Sequence, residues 1–358
     1  MKTVDKLMHK ALEDGVFPGG VLLVSKEDRI VFFEAYGVAN IFSGTKMRRE
    51  TIFDLASITK TLATTPAVMR LVQQNKLNIE TRLREVLSEF ESDEKGNIRI
   101  RELLTHTSGL IDWRPYYPDV YLHPPKARKA ALRAMLLKES LIEQPGEKML
   151  YSDLGFMILE WIVERISRKT LDNFVKEEIY VPLGLDNLFF TDTTGGMPPQ
   201  GHFAATENCP WRKTLLQGLV HDDNAYSVGG VCGHAGLFGT AENVRLLVSE
   251  LLNTYYGHSS NGIFRQDIVS LFFKKQEKAG RALGFDCPPG KDGACGQYFS
   301  PETIGHLGFT GTSFWADTMR FAVVILLTNR VHPSRENIKI RAFRPRLHDA
   351  VMNALGYA

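Results

Sequence analysis

The chain of 358 residues is 44% apolar and 23% charged, which disfavours both disorder and a fibrous repeat. Its formal charge of +2 and the lack of any Lys/Arg-rich block give no footing for nucleic-acid binding. The length suits one catalytic domain in which two lobes share a core.

The N-terminus, "MKTVDKLMHKALEDGVFPGG", carries charges at Lys2, Asp5, Lys6 and Lys10 and so lacks the unbroken apolar run of a secretory signal. As written the chain is expected in the cytoplasm; one trimmed of its leader, periplasmic or extracellular, would read the same. A helix is predicted over residues 4–12, then a β-hairpin in "GGVLLVSKEDRIVFFEAYG" with "KEDR" as its turn. The stretch "DLASITKTLATTPAVMRLV" at 54–72 predicts an amphipathic helix opening at Ser57 and kinked at Pro66. Turn signals at "HTSGL", "QPGEK" and "PLGLDN" punctuate a mostly helical middle that includes "LGFMILEWIVERIS". "GTAENVRLLVSELL" predicts another helix, with Thr240 as N-cap. Residues 255–300, rich in Gly and Lys, read as long loops. Strand character returns in "HLGFTGTSFWAD" and "RFAVVILLTN", separated by residues 317–319, before a closing helix in "RPRLHDAVMNAL". The longest apolar stretch, "FAVVILLT", is too short to span a bilayer.

The expected fold is α/β of the α+β kind. An antiparallel sheet is built from the N- and C-terminal segments and flanked by helices, with a mostly helical insertion. The sheet-bearing lobe takes residues 1–66 plus 230–358, and the helical lobe takes 67–229. Cys209, Cys232, Cys287 and Cys295 form no C-x-x-C pair and no metal-ligand spacing, so they read as buried thiols. Cys287 and Cys295 flank "PPGKDGA" and could close a disulfide in an oxidising compartment.

Ser57 and Lys60 stand three apart, on one face of a helix. A buried amine with a lowered pKa can take the proton of a serine hydroxyl, and the first helical turn offers free N–H groups to an oxyanion. Ser-x-x-Lys occurs three times, at 43, 57 and 92, but only Ser57 opens an amphipathic helix. A serine there also suits a helix N-cap. "YSDLGF" places Tyr151, a possible proton relay beside a lysine, next to Asp153, which could equally cap the following helix. "YPD" at 117 matches the same pattern. In "GHLGFTGTSFWAD", His306 and Gly308 sit at the start of a strand. The small residue would let a substrate backbone approach, and the Phe309 N–H would supply a second oxyanion contact. "HAG" at 234 shows how readily a His-x-Gly pattern arises. No G-x-S-x-G, H-E-x-x-H or Walker loop occurs.

In this order, "SITK", "YSD" and "HLG", with "FPGG", "LLTHTSGL", "PGEKMLYSDLGF", "GHAGLFGTAENV" and "GFTGTSFW" between and around them, resemble the serine β-lactamase and penicillin-binding protein superfamily. Class C β-lactamase-like serine hydrolases look nearest. The resemblance implies Ser57 as the acylated nucleophile, Lys60 as its proton partner and Tyr151 as general base and acid, with the Ser57 and Phe309 amides as oxyanion hole. It implies no cofactor or metal, and a small-molecule or peptide-like acyl substrate. Asp153 replaces the asparagine usual in class C enzymes, turning an amide donor into a carboxylate acceptor. His306 replaces the lysine of K-T-G with a group that titrates near neutrality. Both departures favour esterase, peptidase or amidase work over β-lactam hydrolysis. A class C-type β-lactamase and a non-catalytic penicillin or muropeptide sensor are the alternatives. "ATENCPWR" and "VHDDNAYSVGGVCGHAGLFGT" resemble a branch with cell-wall-directed penicillin-binding proteins and muramyl-peptide amidases. That likeness implies substrate contacts by His221, Asp222 and Asp223, which would otherwise be an ordinary loop held by side-chain hydrogen bonds.

Overall fold

The computed structural model describes residues 1–92, 94–193, 200–259, 261–290 and 293–357. Its centre is a six-stranded antiparallel sheet made from both ends of the chain. β1 (Gly19–Lys26), β2 (Arg29–Asn40) and β3 (Thr45–Lys46) come from the N-terminal part, and β4 (Ile304–Leu307), β5 (Ser313–Asp317) and β6 (Ala322–Thr328) from the C-terminal part. The strand order is β3-β2-β1-β6-β5-β4. β1 and β6 join the two halves in a register that runs from Gly20 opposite Thr328 to Lys26 opposite Ala322. Residues 21–24 of β1 and 322–327 of β6 are unbroken apolar runs because both faces of the sheet are covered. Leu22, Val24, Val324 and Leu326 pack with Val4, Met8, Leu347 and Val351 of the first and last helices, α1 (Lys2–Glu13) and α5 (Ile340–Ala354). Val21, Leu23, Ile325 and Leu327 face the larger core, shared with α2 (Thr65–Gln73), α3 (Asp153–Ser167) and α4 (Ala241–Tyr255).

The β1–β2 hairpin turns through Glu27 and Asp28, both at positive φ, the primed geometry that suits a two-residue connection. Thr240 caps α4 by accepting from the Asn243 N–H. Two expectations change. The run "HLGFTGTSFWAD" is two strands, β4 and β5, paired through Phe314 opposite His306 and joined by a turn at 308–312. Within the 255–300 region a helix forms over Gln266–Phe273, because Ile268, Val269, Phe272 and Phe273 give it one buried face. Cys287 and Cys295 are both free and buried. Residues 291 and 292 of the loop between them lie outside the described residues.

Candidate active site

The segment from Ser57 is not one continuous helix. A 3₁₀ turn over Ala56–Ile58 runs into a π-helical turn over Lys60–Thr64 and then α2. Pro66 follows the π-helical turn directly, so the helical run changes pitch where the proline's missing N–H interrupts the hydrogen-bond ladder. The Leu62 carbonyl, four residues before the proline, accepts from the Tyr180 hydroxyl at 2.8 Å. Ser57 is not a cap either, since the 3₁₀ turn has no side-chain cap and the Ala56 N–H is taken by Asp54 Oδ1 at 2.8 Å. Its hydroxyl accepts from Lys60 Nζ at 3.1 Å.

Lys60 is fully buried, and its ammonium also donates to the His234 carbonyl at 3.0 Å and lies 2.8 Å from Asp153 Oδ1. The expectation of a lowered lysine pKa is corrected. Burial pushes it down, but the Asp153 carboxylate and Tyr151 outweigh burial and hold it above the ordinary value. Tyr151 lies against this ammonium, with its ring centroid 5.0 Å from Nζ, and its phenol interacts with both Lys60 and Ser57. Burial raises the phenol; Lys60 pulls it down, Asp153 raises it again, and the net shift is upward.

The loop "HTSGL" fixes Tyr151. His106, at φ +57°, accepts the Ser152 N–H on Nδ1 at 2.9 Å, and its carbonyl accepts the Leu150 N–H at 2.8 Å. Its ring lies 4.5 Å from that of Tyr151. Ser152, rather than Asp153, caps α3 by accepting from the Gly155 N–H, which leaves the Asp153 carboxylate free for Lys60.

The turn after β4 is tied to the segment before Ser57. Thr310 donates to the Asp54 carbonyl at 2.8 Å and Thr312 to the Leu55 carbonyl at 3.1 Å. Among the described residues neither the Ser57 nor the Phe309 N–H meets an acceptor. This packing requires Gly308, because a Cβ there would stand 2.6 Å from the Leu55 carbonyl and 2.0 Å from the Thr312 hydroxyl. His306 is also corrected. Burial pushes it down to about 4, so its ring is neutral at pH 7 and supplies no charge.

Two cavities of about 340 Å³ meet at Ser57, Tyr151 and Phe309. One holds His306, Gly308, Asp286 and the arginines Arg330, Arg341 and Arg344; the other holds Asp112, Trp113, Asp153, His221, Asp222, Asp223 and Arg335. The second set is also tied into the fold. The His221 N–H donates to Asp54 at 2.6 Å, Asp222 caps the helix Asp223–Ser227 and pairs with His234 at 2.8 Å, and Asp223 pairs with Arg212 at 2.6 Å. Asp153, Asp222 and His234 bring potential ligand atoms within 4.8 Å of one another. Lys60 and the His234 imidazolium, which Asp222 keeps protonated against burial, already neutralise that group. Sequence reasoning missed His106, His234 and the arginines. "HTSGL" and "HAG" were visible as punctuation, but nothing in their spacing showed them touching Tyr151 or Lys60.

A family model described as Beta-lactamase matches residues 4–345. The chain is 34% identical to an N-acetylmuramyl-L-alanine amidase of Bacillus subtilis, over 93% of this chain and 81% of that protein. It is 32% identical to a putative D-alanyl-D-alanine carboxypeptidase of Escherichia coli K12, over 93% and 82%. The octameric penicillin-binding protein homologue from Pyrococcus abyssi superposes with a TM-score of 0.77 at 17% identity, covering 99% of this chain and 77% of that one.

Proposed function

The chain belongs to the β-lactamase family and is a serine hydrolase of that fold; on this premise we propose that it opens ester or amide bonds of small acyl or cell-wall peptide-like substrates through an acyl-enzyme on Ser57. The observation that carries the reading is the desolvated Lys60 ammonium donating to Ser57 Oγ with the Tyr151 phenol against both. Amidase and carboxypeptidase relatives support a peptide-like substrate.

Lys60, held cationic by Asp153, stabilises negative charge on Ser57 and Tyr151 rather than accepting the proton itself. Once the Lys60–Tyr151 pair has given one proton to solvent, Tyr151 as phenolate takes the Ser57 proton as Oγ bonds to the substrate carbonyl carbon, whose oxygen is received by the Ser57 and Phe309 amides. Collapse breaks the bond to the leaving group, which receives the proton from Tyr151. Water then gives a proton to Tyr151 and attacks the acyl carbon, and Ser57 leaves with that proton. Ser57→Ala tests the reading. It should abolish turnover of p-nitrophenyl acetate and the mass adduct of a fluorophosphonate probe, and retention of the wild-type rate would refute it.

A further inference from the structure

A second ion pair stands beside Tyr151. Arg281, 7% exposed, is bridged by Asp286, and its guanidinium carbon lies 5.7 Å from the Tyr151 ring centroid. Lys60 Nζ, bridged by Asp153, lies 5.0 Å from the same centroid. Two cation–carboxylate pairs therefore flank the phenol: the Lys60 pair that donates to Ser57 and, among the described residues, a second that makes no hydrogen bond to Ser57. Backbone contacts hold this second pair in place. The Arg281 carbonyl accepts the Gln276 N–H at 2.8 Å, Gly284 at φ +82° donates to the Leu104 carbonyl at 3.0 Å, and Asp286 exchanges two hydrogen bonds with Gly305 of β4 at 2.8 and 3.0 Å. Between them Ala282, Leu283 and Phe285 are buried in the larger core. A Cβ at Gly284 would stand 2.1 Å from the Thr65 hydroxyl, so the segment lies directly against the start of α2.

A buried ion pair adds little stability over apolar residues of the same volume, and Arg281 Nε is buried without a hydrogen-bond partner, so packing alone does not account for this arginine. The histidines against Tyr151 bring no charge of their own. Burial, then Arg281 and Lys60, push His106, with its ring 4.5 Å away, well below its ordinary value. Burial, against the pull of Asp286 and with Lys60 and Arg281, pushes His306, 5.8 Å away, down to about 4. The charge of Arg281 thus reaches both rings packed on Tyr151. Arg330, Arg341 and Arg344 line one cavity with Tyr151 and Arg335 the other, but among the described residues Arg281 is the one guanidinium over its ring. Asp222 and Asp223 are paired with His234 and Arg212, His221 contacts Glu207, and Asp112 is exposed. We propose that Arg281 is a positioning residue of the Ser57 centre, whose charge stabilises the Tyr151 phenolate while Asp286 sets how much of that charge the phenolate receives. This rests on Tyr151 being the proton carrier and extends that reading to a residue outside the Ser-x-x-Lys and Tyr-x-Asp motifs. With little solvent between them, charge at this separation is weakly screened.

Charge variants of the pair test the role. Removing a cation raises the proton affinity of the Lys60–Tyr151 pair and removing an anion lowers it. The ascending limb of kcat/KM for p-nitrophenyl acetate against pH should therefore move alkaline by about 1 unit in Arg281→Gln and acidward by about 0.5 unit in Asp286→Asn. Arg281→Lys, which keeps the charge, and the double variant Arg281→Gln with Asp286→Asn, which removes both charges, should each lie within about 0.3 unit of wild type. A packing defect lowers the plateau and leaves the limb in place. The phenol is read without turnover in carbon-13 tyrosine-labelled Ser57→Ala protein, where the Tyr151 Cζ resonance is identified by its loss in Tyr151→Phe. Its titration should begin at higher pH with Arg281→Gln and at lower pH with Asp286→Asn. Limbs that coincide or move the same way in these two variants, an Arg281→Lys limb displaced as far as that of Arg281→Gln, or a Tyr151 resonance indifferent to both changes would overturn the role of Arg281. Turnover that survives Tyr151→Phe would refute the proton carrier instead, and the resonance would still decide whether Arg281 acts on the phenol.

Discussion

Replacing Asp153 with asparagine keeps the side chain's shape and removes the charge 2.8 Å from Lys60 Nζ. At an effective dielectric of about 20, that contact corresponds to a gross attraction of about 6 kcal/mol, equivalent to roughly 4 pKa units on a lysine with no solvent exposure. Asp153 keeps 17% exposure, and relaxation of the site takes part of the effect, so a shift of about 2 units is the working expectation. Lys60 and Tyr151 titrate as a pair, and the Asp153 carboxylate raises both. The pair must give up one proton before it can accept that of Ser57, so wild-type kcat/KM should climb with pH through the neutral range into the alkaline. Asp153→Asn lowers the pair's apparent pKa and moves this ascending limb acidward by about 2 units. The assay is kcat/KM for p-nitrophenyl acetate against pH in both proteins. A limb that stays in place, or moves to higher pH, would refute the argument that Asp153 sets the charge of the pair.

Tyr180→Phe leaves the Leu62 carbonyl without its donor and should cost about 1–3 kcal/mol, read as a lowered urea midpoint. At Gly233 a Cβ would stand 2.1 Å from the Phe156 carbonyl, so Gly233→Ala must displace the strand of chain that carries the His234 carbonyl. A loss of about 1–3 kcal/mol in denaturant stability with a lower kcat is expected, whereas unchanged values of both would contradict the packing. Burial pushes Glu207 up, but His221 and Arg335 outweigh it and hold the carboxyl at about 2. A lowered folded-state pKa contributes stability above the unfolded value of about 4.5, and that stability is lost as pH falls toward about 2. Denaturant titrations should show up to about 3 kcal/mol disappearing over that window, and Glu207→Gln should flatten it.

Local pattern carried much of the architecture. The apolar runs of β1 and β6, the primed turn at Glu27 and Asp28, the Thr240 cap and the helix of residues 153–167 each follow from neighbours within a few positions. Even there, "HLGFTGTSFWAD" concealed its turn, because strand propensity does not register that Thr310 and Thr312 are drawn to the carbonyls of Asp54 and Leu55. The helix Gln266–Phe273 was hidden by the polar composition around it, which outweighed one short apolar face.

The sequence by itself determined which chemical groups the molecule owns and the i, i+3 spacing that lets Lys60 reach Ser57. Only the tertiary structure decided their ionic states. Lys60 stays charged because Asp153 and the His234 carbonyl are brought to it from 93 and 174 residues away, and His306 is silenced by burial in a strand. The arginines gather around one cavity because α5 folds back over the sheet. Spacing along a helix is a local property, whereas desolvation and Coulomb fields sum over whatever the fold places within a few ångströms.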